Sequence, residues 1–225
     1  MFGICAILIA ILFYLFLIKR NDSYKDERHK SSSVSISELL KNNKFVFAGL
    51  TNVFDNFASQ TLFLFLPFLL LSRGYSPAIL GLFAGAFFIG SFLGRIILGK
   101  FVDKYTSTNV FIISELLMAL IIVLLANVSQ LYLILGCSLI LGIFTKGTNP
   151  IVKTMVSESV EHHGNYEKAY GMNSITSNMA IAIAPIILGF ISEKFGIIAA
   201  FNVMAFVALL AIIPAMGFKA VKSMK

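Results

Sequence analysis

Five polar residues, Asn52, Asp55, Asn56, Ser59 and Gln60, stand in an otherwise apolar stretch. Their spacing of i, i+3, i+4, i+7 and i+8 places them on one face of an α-helix. Val53, Phe54, Phe57, Leu62 and Phe65 occupy the other side and suit lipid or neighbouring helices. Asp55 lies about 16 Å along such a helix from Lys44, near the middle of a bilayer. An ionisable group at that depth is costly unless it meets water or a partner, so it marks function. It can bind a cationic group or carry a proton. The stripe then lines a polar cavity; the alternative is hydrogen-bonding glue between helices.

A second polar face runs through Ser138, Gly142, Thr145, Lys146 and Asn149. Lys146 either contacts an anionic group or a carboxylate, or snorkels along its stem to the membrane surface. Pro150 frees a backbone carbonyl nearby. Glu115 falls within about two turns of a membrane face, where it pairs with a loop base or snorkels. The pairs Gly81/Gly85 and Gly90/Gly94 permit close helix contact. His29, His162 and His163 lie in polar segments, and the adjacent pair has no further ligand at useful spacing, so no metal site is expected. Cys5 and Cys137 sit in apolar runs as small hydrophobes, with neither a disulfide nor a metal implied. No nucleophile–base set and no Walker A sequence appears, so neither an enzyme nor an ATP-driven pump is expected, and no cofactor is implied.

The elements that position these residues follow from composition. Of 225 residues, 58 % are hydrophobic, 13 % are charged and 22 are Phe; an ordinary globular protein carries roughly 25 % charged residues. A helix needs about 20 mostly apolar residues to cross the hydrocarbon core. Seven such spans are read, at 2–18, 45–71, 77–98, 109–127, 131–153, 170–191 and 197–217. The first lacks a basic residue before it and is long for a signal peptide. In the fifth, the clean apolar run from Leu131 to Phe144 covers only about 21 Å. That span must therefore carry Thr145 to Pro150 into the membrane.

The net charge of +7 does not form a basic face, which argues against nucleic acid as a partner. The bases flank the spans instead. Placing the segment after the first span in the cytoplasm puts fifteen Lys and Arg inside and only Arg73 and Lys194 outside, with Lys146 within a span. The N-terminus is then outside and the C-terminus cytoplasmic, in a plasma (cell) membrane. The chain divides into a single span (1–19), a Ser-rich linker of mixed charge (20–44), a six-helix unit (45–218) and a cytoplasmic tail (219–225). Within the unit, residues 95–105 align with 185–195 at an offset of 90. Ile96, Ile97, Leu98, Gly99 and Lys104 are identical to their partners. A three-span repeat has an odd number of crossings, so its two copies run in opposite senses, as in many secondary transporters.

Gly99-Lys-Phe-Val-Asp103-Lys104, between the third and fourth spans, resembles the loop signature of the major facilitator superfamily. The chain is similar to that family's C-terminal half: its sixth span, central loop, and spans seven to twelve. Thr106, Ser107 and Thr108 stand where the signature has Gly and two bases. Gly94-Arg95 and the stretch Gly171-Met172-Asn173 to Ala184-Pro185-Ile-Ile-Leu-Gly189 resemble the drug-efflux branch. The resemblance implies an all-α membrane protein of about seven transmembrane helices, six of them a half built from two inverted three-helix repeats. It implies that Arg95, Gly99, Asp103 and Lys104 belong to a cytoplasmic gating loop. It also implies alternating-access transport of a small-molecule substrate, secondary and ion- or proton-coupled, in the efflux direction, with a complementary N-terminal half as partner beside the lipid bilayer. The competing expectation is an incomplete or remnant half, or a non-transporting membrane subunit.

Overall fold

Backbone groups in hydrocarbon have no water to bond, so apolar stretches of this length satisfy themselves as helices. The computed structural model describes residues 36–161 and 166–221. It has a short helix α1 (Ile36–Lys41) and six long ones: α2 (Asn43–Ser72), α3 (Pro77–Lys104), α4 (Ser107–Asn127), α5 (Leu131–Val160), α6 (Tyr166–Phe195) and α7 (Ile197–Ala220). All six are long and apolar enough to cross a membrane. The span expected at 2–18, most of the linker, His29 and the pair His162–His163 lie outside the described residues.

Several helices run past their apolar cores, because a started ladder adds one bond per residue. α5 continues unbroken through Thr145 to Pro150 and on to Val160, so the polar stretch is helical. The turns are short and specific. Asn42 caps α2, its side-chain oxygen accepting from the N–H groups of Lys44 (3.0 Å) and Phe45 (3.3 Å). At the other end Gly74 adopts φ 79°, letting its N–H reach Leu71 and that of Tyr75 reach Leu70 (3.2 Å). That closure needs a left-handed residue, which glycine supplies without strain.

Cross-helix bonds give the directions. Asn42 Nδ2 donates to the carbonyl of Ser159, and Thr148 meets Asp55, so α2 and α5 run antiparallel. Ser107 donates to Glu158 Oε1 (3.0 Å), and Lys219 to Asn109 Oδ1 (2.9 Å), so α4 is antiparallel to both α5 and α7. Shifting the first three long helices by 90 residues lays them on the last three to within three residues at each end. Packing follows the same exchange. α3 packs on α5 as α6 packs on α2; α2 packs on α7 as α5 packs on α4; α4 meets α7, and α2 meets α5, across the centre.

Two apolar clusters fill the interior. One runs from Ala58 to Leu70 on α2, with Met118 to Ala126, Ile134 to Leu141 and Ala200 to Ala208. The other gathers Phe45, Ala48, Val110, Phe111, Ile151 to Val160, and Ala211 to Phe218. Between them, at mid-helix, lies a buried polar layer: Asn52, Asp55, Asn56 and Ser59 on α2, Ser114 and Glu115 on α4, Thr145 and Thr148 on α5. Over their most apolar stretches α3 is only 28 % buried and α6 only 22 %, against 56 % for α2 and α4. The second helix of each repeat therefore turns most of its surface outward.

Candidate functional site

The polar stripe of α2 separates into two rows one residue apart. Asn52, Asn56 and Gln60, four residues apart, turn toward α6. Asp55 and Ser59 turn into the bundle.

The first row lines an open-sided cavity of about 290 Å³ with Asn149 and Lys153 of α5 and Asn173, Ser174, Ser177 and Asn178 of α6. Its wall is tied together. Asn52 Nδ2 donates to Asn173 Oδ1 (2.9 Å) and to Ser177 Oγ. Asn56 Nδ2 donates to the side chain (2.7 Å) and backbone carbonyl (2.8 Å) of Asn52. Lys146, half-buried, donates to Gln60 Oε1. The cavity offers amide donors and acceptors, hydroxyls and an ammonium group. It lies on the α2·α6 side; the matching α3·α5 interface is built on glycine.

The second row has different surroundings. Asp55 is fully buried, and Thr148 Oγ1 donates to its two oxygens at 3.3 and 3.4 Å. Glu115 of α4 lies against it within side-chain hydrogen-bonding reach, with Ser59 alongside and Lys146 near enough to act on its charge. Glu115 is also fully buried. It neither reaches a loop base nor snorkels, the two outcomes expected from its position. The hydroxyl of Ser59 and both carboxyl oxygens of Glu115 lack a hydrogen-bond partner among the described residues.

The second polar face divides similarly. Ser138 bonds to its own helix through the Ile134 carbonyl (2.8 Å), and Gly142 packs on α3, while Lys146 and Asn149 turn toward the cavity side. The four residues expected in a gating loop lie instead inside α3, in its C-terminal part, and apart from both rows, because the helical ladder runs on past the apolar stretch to Lys104. Arg95, Asp103 and Lys104 are exposed, and Lys104 Nζ sits 5.6 Å from the ring of Tyr105. Gly99 has open space where a side chain would stand. Ser107, in the place of a signature base, holds α4 to the end of α5 through Glu158.

The polar residues Thr148 and Ser177 are visible in the sequence, but their pairing with Asp55 and Asn52, and that of Asn173 with Asn52, is not, because spacing within one helix does not report contacts to another. The signal for Glu115 was its depth: like Asp55, it is two to three turns from the same membrane face.

A six-helix bundle of two exchanged three-helix units around a polar mid-membrane layer is the architecture of half a membrane carrier. The family model of the Major Facilitator Superfamily matches residues 46–223, and the chain belongs to that family. Among solved structures it is similar to the POT family transporter PepTSo, described as an in meso crystal structure, at 16 % identity and a TM-score of 0.64. That match covers 77 % of this chain and 36 % of the other, so the chain spans about a third of that transporter's length. At this identity the likeness is one of fold. No curated protein sequence matches the chain.

Proposed function

We propose that this chain supplies the C-terminal half of a secondary solute transporter of the alternating-access kind, with a complementary N-terminal half closing the pathway. The observation that carries the reading is the amide-lined cavity between α2, α5 and α6, held at membrane depth by the Asn52–Asn173–Ser177 network. Polar side chains in hydrocarbon are costly unless they face a partner or a water-filled path. Here they also leave Ser174 and Asn178 exposed toward the open side. The outward faces of α3 and α6 support the partner half, since helices of mutually sliding halves need large surfaces of their own. The cavity suits a hydrogen-bonding solute with a neutral or anionic group, which Lys153 on its wall, or Lys146 behind Gln60, can meet. Efflux rests on the likeness of the Ala184-Pro185-Ile-Ile-Leu-Gly189 stretch to the drug-efflux branch. Residues Arg95, Gly99, Asp103 and Lys104 act as the cytoplasmic gating loop in this reading, in a plasma membrane with the C-terminus inside.

The test is flux in vesicles, with and without a co-expressed N-terminal half from a complete family member. Substrate movement that depends on the second half, and falls at least tenfold in Asn56→Ala and Lys146→Ala, is expected. No flux with any complementing half would favour a non-transporting membrane subunit.

A further inference from the structure

Asp55 and Glu115 are the two acidic side chains at the centre of the described bundle, and the cavity does not use them. They come from helices that both pack on α5 and α7. Asp55 receives a hydroxyl from Thr148 at 3.3 and 3.4 Å. Among the described residues Glu115 receives no hydrogen bond: both its oxygens are buried and unpartnered, as is the neighbouring hydroxyl of Ser59. The ammonium of Lys146 is spent on Gln60.

Two ionised carboxylates in contact, away from water, repel strongly, and one hydroxyl from Thr148 does not offset that. A single proton removes the repulsion and supplies the missing bond, because one carboxyl then donates to the other. We infer that Asp55 and Glu115 together form a proton-binding site, one proton shared between them, set behind the solute cavity. This deepens the transporter reading and rests on it only for the coupling step, not for the presence of the proton.

The surroundings limit what else acts on the pair. α2 contributes no other ionisable group near it, and α4 contributes Glu115 alone. α5 brings Lys146, on which Arg95 of α3 acts in turn. The described ionisable groups of α6 and α7 sit toward the helix ends. Binding one proton takes the pair's charge from minus two to minus one; releasing it restores the second charge. The nearest cation able to answer is Lys146, which would leave Gln60 for Asp55. Proton release would then free the cavity-lining Gln60 from its ammonium partner, linking the pair to the solute.

Infrared pH-difference spectra of the full chain in lipid nanodiscs test this. Wild type should show one protonated carboxyl band per chain at neutral pH that disappears on alkaline titration. Glu115→Gln and Asp55→Asn, both isosteric, should each lose it, while Glu115→Asp should keep it. Absence of the band in wild type, or its persistence in both isosteric variants, overturns the proposal. So does a band removed by sodium at constant pH, which would assign the oxygens to a metal cation. Because wild type alone can fail the test, misfolding of one variant does not protect the idea. The transporter reading fails separately: a titrating band without pH-driven flux in the paired-half vesicles would leave the proton site standing and remove its coupling role.

Discussion

At the scale of single residues, a shift of one helical position decides what a polar side chain does. Asn52 and Asp55 differ by about 60° around α2 on a helix of 3.6 residues per turn. Asn52 ends in an amide network with α6, and Asp55 in a buried contact with α4 and α5. Buried polar groups that lose a partner cost about 1–3 kcal/mol. Asn52→Ala removes the donor shared by Asn173 and Ser177, and its unfolding free energy in detergent should fall by about that amount. Gln60→Ala, at a half-exposed site, should cost less. A reversed order would mean that the network is not holding α2 to α6. The residue types of the stripe and their common helix were legible in the sequence. Which of them faced which neighbour was not, because the stripe is broad enough to touch two interfaces and periodicity does not say where the boundary between them falls.

At the scale of elements, glycine spacing proved half informative. A Cβ at Gly90 would collide with the Leu139 carbonyl, one at Gly94 with Ile143, and one at Gly142 with the Phe87 carbonyl. At Gly147 it would lie 2.5 Å from Leu98 Cδ1 and 3.0 Å from the Gly94 carbonyl. α3 and α5 therefore touch backbone to backbone. Gly81 and Gly85, with the same spacing, meet nothing within 4 Å. Overpacking costs about 1–3 kcal/mol or more where backbone must move. Gly94→Ala should destabilise the bundle by at least that, and Gly81→Ala should leave thermal stability unchanged or slightly raised, since alanine suits a helix better where there is room; equal losses in the two would refute this packing. Another element-scale device is Arg73. Its guanidinium donates to the carbonyls of Leu125 (3.0 Å), Ala126 (2.6 Å) and Val128, closing the C-terminal end of α4. A cation there satisfies carbonyls the helix leaves free and suits its dipole. Arg73→Ala should cost about 1–2 kcal/mol, read by thermal unfolding, with Arg73→Lys recovering only part because a lysine lacks the fork.

At the scale of the whole molecule, the exchange of two three-helix units explains why the polar layer sits where it does. α2 and α5 are first helices of their repeats and cross at the centre, so their polar rows meet there. The outward helices α3 and α6 carry large apolar side chains such as Phe92, Ile96, Ile186 and Phe190 on exposed surface. Such surface needs lipid or another protein against it. The distribution of Lys and Arg predicts which end is cytoplasmic. Single cysteines placed at Lys104 and Lys153, with Cys5 and Cys137 replaced by Ala, should react with an impermeant reagent only from the cytoplasmic side. One at Arg73 should react only from outside, and labelling from the opposite sides would reverse the assigned orientation.

Hydropathy and length determined that this chain contains long membrane helices and where most of them begin, and residue identities at an offset of 90 showed that three of them repeat in the next three. These are properties of a local stretch in lipid: backbone must be satisfied within the segment, and about 20 apolar residues suffice to show it. The polar character of α2 and α5 was local in the same sense. What Asp55 touches was decided by tertiary structure, because Glu115 lies 60 residues away on a helix whose rotation is set by packing against α5 and α7. Sequence spacing carries no information about that rotation. Only the assembled bundle turns two isolated acids into one buried pair, and a row of amides into a cavity wall.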